Sequence, residues 1–205
     1  PIANGGTNVT SAADLANTGH FIKIKEVSLS GSVGAVEFIN GTDDVVFDST
    51  YNRYYFTFMG IASQTDVHNL GCQLGNSSGY ITTSGAHDYQ GMDMYQSAAN
   101  TARGNSATFW TLGGVGASNA NNEQNTNGEM WLTIDGSNYP NYFSRISYWQ
   151  DNDNSVTSRM GGNLSNTSTI TKIKFFYHSN YNAATVGTTS SFANQGSIKM
   201  YGNRK

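Results

Sequence analysis

Between Phe21 and Gly202 the chain alternates apolar or aromatic residues with polar ones, and short clusters of Gly, Asn, Ser and Asp interrupt the alternation. A period of two is the mark of a strand with one face buried. FIKIKEVSL (Phe21–Leu29) sets Ile22 and Ile24 against Lys23 and Lys25, then changes phase at Val27 and Leu29, which predicts a bulge. AVEFI (Ala35–Ile39), VVFD (Val45–Asp48) and NRYYFTFMGI (Asn52–Ile61) follow as strands. The last carries Tyr54, Phe56 and Phe58 on one face and Tyr55, Thr57 and Met59 on the other. Both faces are apolar enough to be covered, which predicts a central strand.

LGCQLG (Leu70–Gly75) and YITT (Tyr80–Thr83) flank the turn NSSG and predict a hairpin. ATFWTLG (Ala107–Gly113), MWLTI (Met130–Ile134), FSRISYWQ (Phe143–Gln150), TITKIKFFYHS (Thr169–Ser179) and GSIKMYG (Gly196–Gly202) are the remaining strands. Residues 86–105 read as an irregular loop or one short helix, and residues 156–165 are ambiguous. Gly114–Glu129 is polar apart from Val115 and predicts a loop projecting from one end of the sheets. No helical pattern exceeds three turns and no βαβ rhythm occurs, so the expected fold is all-β, an antiparallel β-sandwich wired as a jelly roll. Residues 1–20 lack a period and are expected to be an arm or linker, in which SAADLA (Ser11–Ala16) has the makings of a single capped turn. Residues 21–205 are expected to form one domain.

Composition narrows the class. Only 12% of the 205 residues are charged and the net charge is -3, so no basic surface for nucleic acid is expected. Asn, Ser and Thr fill about a third of the chain, and 12% is aromatic, which rules out a disordered polyelectrolyte. Cys72 is alone, so no intrachain disulfide forms, which fits folding in a reducing compartment. No apolar run approaches a membrane span, and PIANGGTNVT does not have the pattern of a signal peptide. The expectation is a protein without membrane insertion.

Candidate chemistry is sparse. Asp43, Asp44 and Asp48 lie close together, but NGTDD lacks the spaced acids of a calcium loop and has the residues of a tight turn. DNDN (Asp151–Asn154) places Asp151 and Asp153 two apart, where a hairpin loop is expected. His20, His68, His87 and His178 are not spaced for zinc, and His87–Asp88 is the one adjacent His–acid pair, expected in a solvated loop. Cys72 sits in mid-strand, the position of a packed core thiol. Glu26, Glu37, Glu123, Glu129 and Asp135 are carboxylates a glycosidase could use, but spacing pairs none of them. Trp110, Trp131, Trp149, Tyr51, Tyr54 and Tyr55 could stack on sugars, though strand alternation marks most as core or interface. The expectation is therefore no catalytic, metal or cofactor site, and no enzyme.

Two segments carry a resemblance. SVGAVEFINGTDDVVFDSTYNRYYFTFMGIASQTD (Ser32–Asp66) resembles a pattern shared by uncharacterised virion structural proteins of tailed phages, of marine and cyanophage type. QGSIKMYG (Gln195–Gly202) resembles the closing strand of the same proteins, and together the segments cover roughly a fifth of the chain. The resemblance implies a β-sandwich and a place in the virion, as capsid decoration or tail appendage. Its implied partners are copies of itself, with a trimer as the expected oligomer, and other virion proteins, engaged through the arm 1–20 and the polar loops. A lectin-like module that recognises a host surface glycan is the alternative.

Overall fold

The computed structural model describes residues 2–4, 7–9, 21–48, 50–95, 98–117, 126–150, 154–179 and 186–204. Two short strands, β1 (Ile2–Asn4) and β2 (Thr7–Val9), pair only with each other, Ile2 opposite Val9. This ribbon lies where the sequence predicts an aperiodic arm; Ser11–Ala16 falls outside the described residues.

Eight strands form the jelly roll. They are β3 (Phe21–Ser28), β4 (Val36–Ile39), β5 (Tyr51–Ile61), β6 (His68–Asn76), β10 (Trp110–Ala117), β11 (Thr126–Thr133), β14 (Lys172–His178) and β16 (Ser197–Arg204). One layer runs β3-β16-β5-β11 and the other β4-β14-β6-β10, every pair antiparallel. Counted first to eighth in chain order, the layers are 1-8-3-6 and 2-7-4-5, the double Greek-key wiring that the sequence predicts.

Two hairpins widen the first layer. β12 (Asn141–Gln150) and β13 (Asn154–Leu164) follow β11, while β8 (His87–Met94) and β9 (Ala99–Ala107) precede β10. They extend the layer as β11-β12-β13-β8-β9, giving an eight-stranded sheet that curls over β10, pairs with it at Ala117–Gln150 and packs along it, the Tyr142 and Ser144 hydroxyls donating to the Thr111 and Leu112 carbonyls. Short strands β7 (Gly79–Tyr80) and β15 (Thr189–Ser190) pair with β6 and β14.

Period-two burial builds the core. In β12, Tyr142, Ser144, Ile146 and Tyr148 are buried while Phe143, Arg145, Ser147 and Trp149 face outward, as the alternation predicts. Phe56 and Phe58 of β5 meet Phe38 of β4 and Phe175 of β14, with ring centroids 5.1 Å apart for Phe56–Phe175 and for Phe58–Phe175. The bulge expected in β3 is present: its register with β16 shifts between Met200 and Tyr201, which keeps Ile22, Ile24 and Val27 all against the core.

Several expectations need correction. Val45–Asp48 is not a strand; Val45 and Phe47 are buried from an irregular segment, because the preceding turn aims them inward. Residues 86–105 are neither loop nor helix but the β8–β9 hairpin; Gly91 and the short polar side chains blur its alternation. Residues 156–165 lie mostly in β13. The ends of the segment Gly114–Glu129 are strand, since β10 runs on to Ala117 and β11 starts at Thr126, while residues 118–125, the middle of the expected loop, lie outside the described residues. Among the described residues the outward face of β5 is only partly covered: Phe21 packs on Tyr55, while Met59 stays 51% exposed.

Gly196 turns the chain into β16. Its φ is +81, in the left-handed region, and an added Cβ would sit 2.5 Å from the Gly60 carbonyl. Left-handed backbone and close approach both demand glycine here. Gly196→Ala is expected to cost about 2 kcal/mol, read as a lowered urea midpoint at unchanged slope.

Candidate functional site

Asp43, Asp44 and Asp48 serve turns and a surface ion pair. In the segment Asn40–Asp44, Gly41, Asp43 and Asp44 all have positive φ, and Gly41 N–H donates to the Val45 carbonyl at 2.8 Å. Asp43 accepts from Lys25 Nζ at 3.0 Å, and Asp48 accepts from Thr50 N–H at 2.7 Å. No group of three or more His, Cys, Asp or Glu side chains is placed to hold a metal among the described residues. His20, Glu123, Asp151 and Asp153 lie outside them.

His87 and Asp88 are not a loop pair. They occupy successive positions of β8, so His87 points into the core with no exposed surface while Asp88 faces out. The His87 ring meets Trp110 edge-on at 5.3 Å and neither ring nitrogen has a hydrogen-bond partner. Burial pushes its pKa down to about 3. Cys72 is fully buried and burial holds its thiol well above the usual range, which suits core packing and not nucleophilic attack. Sequence reasoning misses Asp93, a fully buried carboxylate that accepts from the hydroxyl of Ser158 directly across the β13–β8 pair. The in-phase spacing His87, Tyr89, Gly91, Asp93 is the signal that would have found it.

Two surface features stand out. The first is a pocket of about 190 Å³ at one end of the sandwich. Its floor is apolar: Phe47, Tyr51, Tyr54, Ile134, Pro140 and Ile170. Asp48, Asp135, Asn138, Thr167, Ser168 and Thr169 line the rest of it. Three loops meet here and backbone bonds stitch them: Asn40 N–H donates to Thr171 O at 2.8 Å and Ile134 N–H to Asn52 O at 2.9 Å. The Asn40 side chain also accepts from Phe47 N–H at 2.7 Å, fixing the loop that carries Phe47 and Asp48. Tyr51 lies flat on Gly202, where any Cβ would run into its ring.

This pocket brings together Asp48 and Asp135, two carboxylates that spacing could not pair. Neither is arranged as a proton donor. Hydrogen bonds from Thr50, side chain first, hold the Asp48 carboxyl below its ordinary value. Asp135 accepts from the Ser137 and Asn138 amides at 2.9 and 2.8 Å and from Asn138 Nδ2 at 2.8 Å. A glycosidase acid needs the opposite, a carboxyl whose pKa is raised.

The second feature is the outward face of the eight-stranded sheet. Tyr201, Tyr55, Trp131 and Phe143 stand directly opposite one another on β16, β5, β11 and β12, a continuous aromatic row. Phe21 of β3 packs on Tyr55 at 5.6 Å and Trp131 at 5.3 Å. Phe143, Met92 and Phe21 are each more than 40% exposed, and Trp149 emerges farther along β12. The next row places Thr57, Glu129, Arg145 and Arg159 in register, and Tyr55 donates to Glu129 at 2.7 Å. Of the aromatics considered as sugar stackers, Trp110 is in the core, Tyr51 and Tyr54 floor the pocket, and Tyr55, Trp131 and Trp149 belong to this face. Glu26 is bonded to Lys23 and Lys199, and Glu37 accepts from the Tyr80 hydroxyl at 2.7 Å.

Comparison with protein-family models, with curated protein sequences and with solved structures finds no match to this chain.

Proposed function

We propose that this chain is a non-enzymatic building block of a phage particle, which self-associates through the outward face of its wide sheet. The aromatic row Tyr201–Tyr55–Trp131–Phe143 carries the reading. A contiguous exposed apolar patch framed by charged residues is the usual mark of a protein interface. A second copy is the fitting occupant because the face holds both signs of charge: Glu129 of β11 stands beside Arg145 of β12 and Arg159 of β13. Arg145 faces Glu129 on one side and Arg159 on the other, so Arg159 stands opposite a like charge that a carboxylate from a neighbouring copy would offset. Two rungs of the row, Tyr55 and Tyr201, also fall inside the segments that resemble phage virion proteins. Closed symmetry is the rule for such self-contacts, and a trimer is the assembly we propose. Residues 1–20 and the polar loops remain the proposed attachments to other virion proteins.

Solution mass tests this. The wild-type chain is expected to run as a trimer at micromolar concentration in light scattering or native mass spectrometry. Trp131→Glu combined with Phe143→Arg is expected to shift it to a monomer with an unchanged far-ultraviolet spectrum, because both side chains point away from the core. A monomeric wild type overturns the proposal.

A further inference from the structure

We infer that the end pocket is a binding site for one neutral pyranose ring, free or as the terminal unit of a surface glycan. This goes beyond the assembly reading and rests on different residues. The pocket volume of about 190 Å³ exceeds the roughly 150 Å³ of an apolar cavity that holds a benzene ring, so one six-membered ring fits. Its chemistry is divided as a sugar requires. Phe47, Tyr51 and Tyr54 are clustered, with ring centroids 4.9 Å apart for Phe47–Tyr54 and 6.0 Å for Tyr51–Tyr54, and they offer an apolar floor for the C–H face of a pyranose. Asp48, Asp135 and Asn138 offer acceptors and an amide to its hydroxyls.

Recognition of the hydroxyls falls to the loop side chains, because the Tyr54 hydroxyl is closed off from solvent behind the Asp48 backbone. The pocket is also preformed, since the backbone bonds between its loops and the Asn40–Phe47 bond hold it open without a ligand. The carboxylates set the specificity. Asp48 stays ionised, so the site repels a uronic acid and accepts a neutral ring.

Saturation-transfer NMR on the full chain, with a panel of neutral methyl pyranosides and with glucuronate, tests the inference. At least one neutral sugar is expected to bind in the millimolar range, and glucuronate is not. Thr167→Trp, at an exposed rim position, is expected to weaken binding about tenfold or more by filling the pocket mouth. Asp48→Asn keeps the acceptor for Thr50 and is expected to weaken neutral-sugar binding and to admit glucuronate. If Thr167→Trp fails to fold, Thr169→Trp takes its place. An oligosaccharide ending in the preferred unit competes if a glycan terminus is taken, and fails to compete if only the free sugar fits. Absence of transfer to every neutral sugar overturns the inference, as does binding that survives both tryptophan variants. Solution mass is expected to be unchanged in these variants, so loss of sugar binding and loss of assembly are read separately.

Discussion

Phe175→Ala is expected to lower the melting temperature by roughly 10–15 °C, from a loss of about 3–5 kcal/mol. Phe175 is the ring through which the two layers meet. It lies on β14 and touches Phe38 beside it on β4 and Phe56 and Phe58 across the sandwich on β5. All three contacts are close to edge-on, with interplanar angles of 82°, 66° and 80°. Each edge-to-face pair contributes about 0.5–1.5 kcal/mol beyond the burial of its area. Alanine removes them together and leaves a void that paired strands on both sides cannot close. Phe175→Leu keeps most of the volume and is expected to cost less than half as much. Thermal melts of the two variants check the ranking, and equal losses would mean that the ring contacts, not the void, dominate.

The second large effect is in acid. His87 is neutral in the fold because burial holds its pKa near 3, against an ordinary value of 6.5. Unfolded, the imidazole takes up a proton as pH falls through about 6.5; folded, it does not do so until about pH 3. The unfolded chain therefore binds more protons throughout this window, and stability falls as pH is lowered. The slope contributed by His87 is about 1.4 kcal/mol per pH unit, reaching roughly 4–5 kcal/mol by pH 3. His87→Leu is expected to remove that component. Asp48 and Glu26, whose carboxyls lie below their ordinary values, lose their own contributions in acid in both proteins, so the difference between the two curves isolates the histidine. Denaturant midpoints measured from pH 7 to pH 4 check it, and parallel curves would refute the assignment.

The fold was legible wherever alternation was clean. Phe143–Gln150 shows large apolar and aromatic residues in strict phase, and its buried and exposed faces follow the sequence. The β8–β9 hairpin was hidden because Gly91, Ser106 and Gly104 carry little or no side chain to mark a face; Gly104 is small because the Tyr89 ring occupies the space a Cβ would need. The turn role of Asp43 and Asp44 was readable from Asn and Gly beside them, since those residue types take positive φ locally. The pocket was not readable. Phe47, Asp135 and Thr167 come from three loops far apart in the chain, and only the jelly-roll wiring brings them to the same end. The aromatic row escaped for the same reason: period two gives the face of each ring, whereas the register of four strands decides that they align.

β16 comes after every other described strand, yet it lies between β3, the first of the jelly roll, and β5. Until it arrives, β3 has no neighbour in its layer and Ile198 and Met200 are missing from the interior. Synthesis must therefore proceed past β16 before this layer can close, and the loop to be closed takes in every other strand of the jelly roll. Until then aromatic strands stay exposed on the nascent chain, the state that chaperones shield from aggregation.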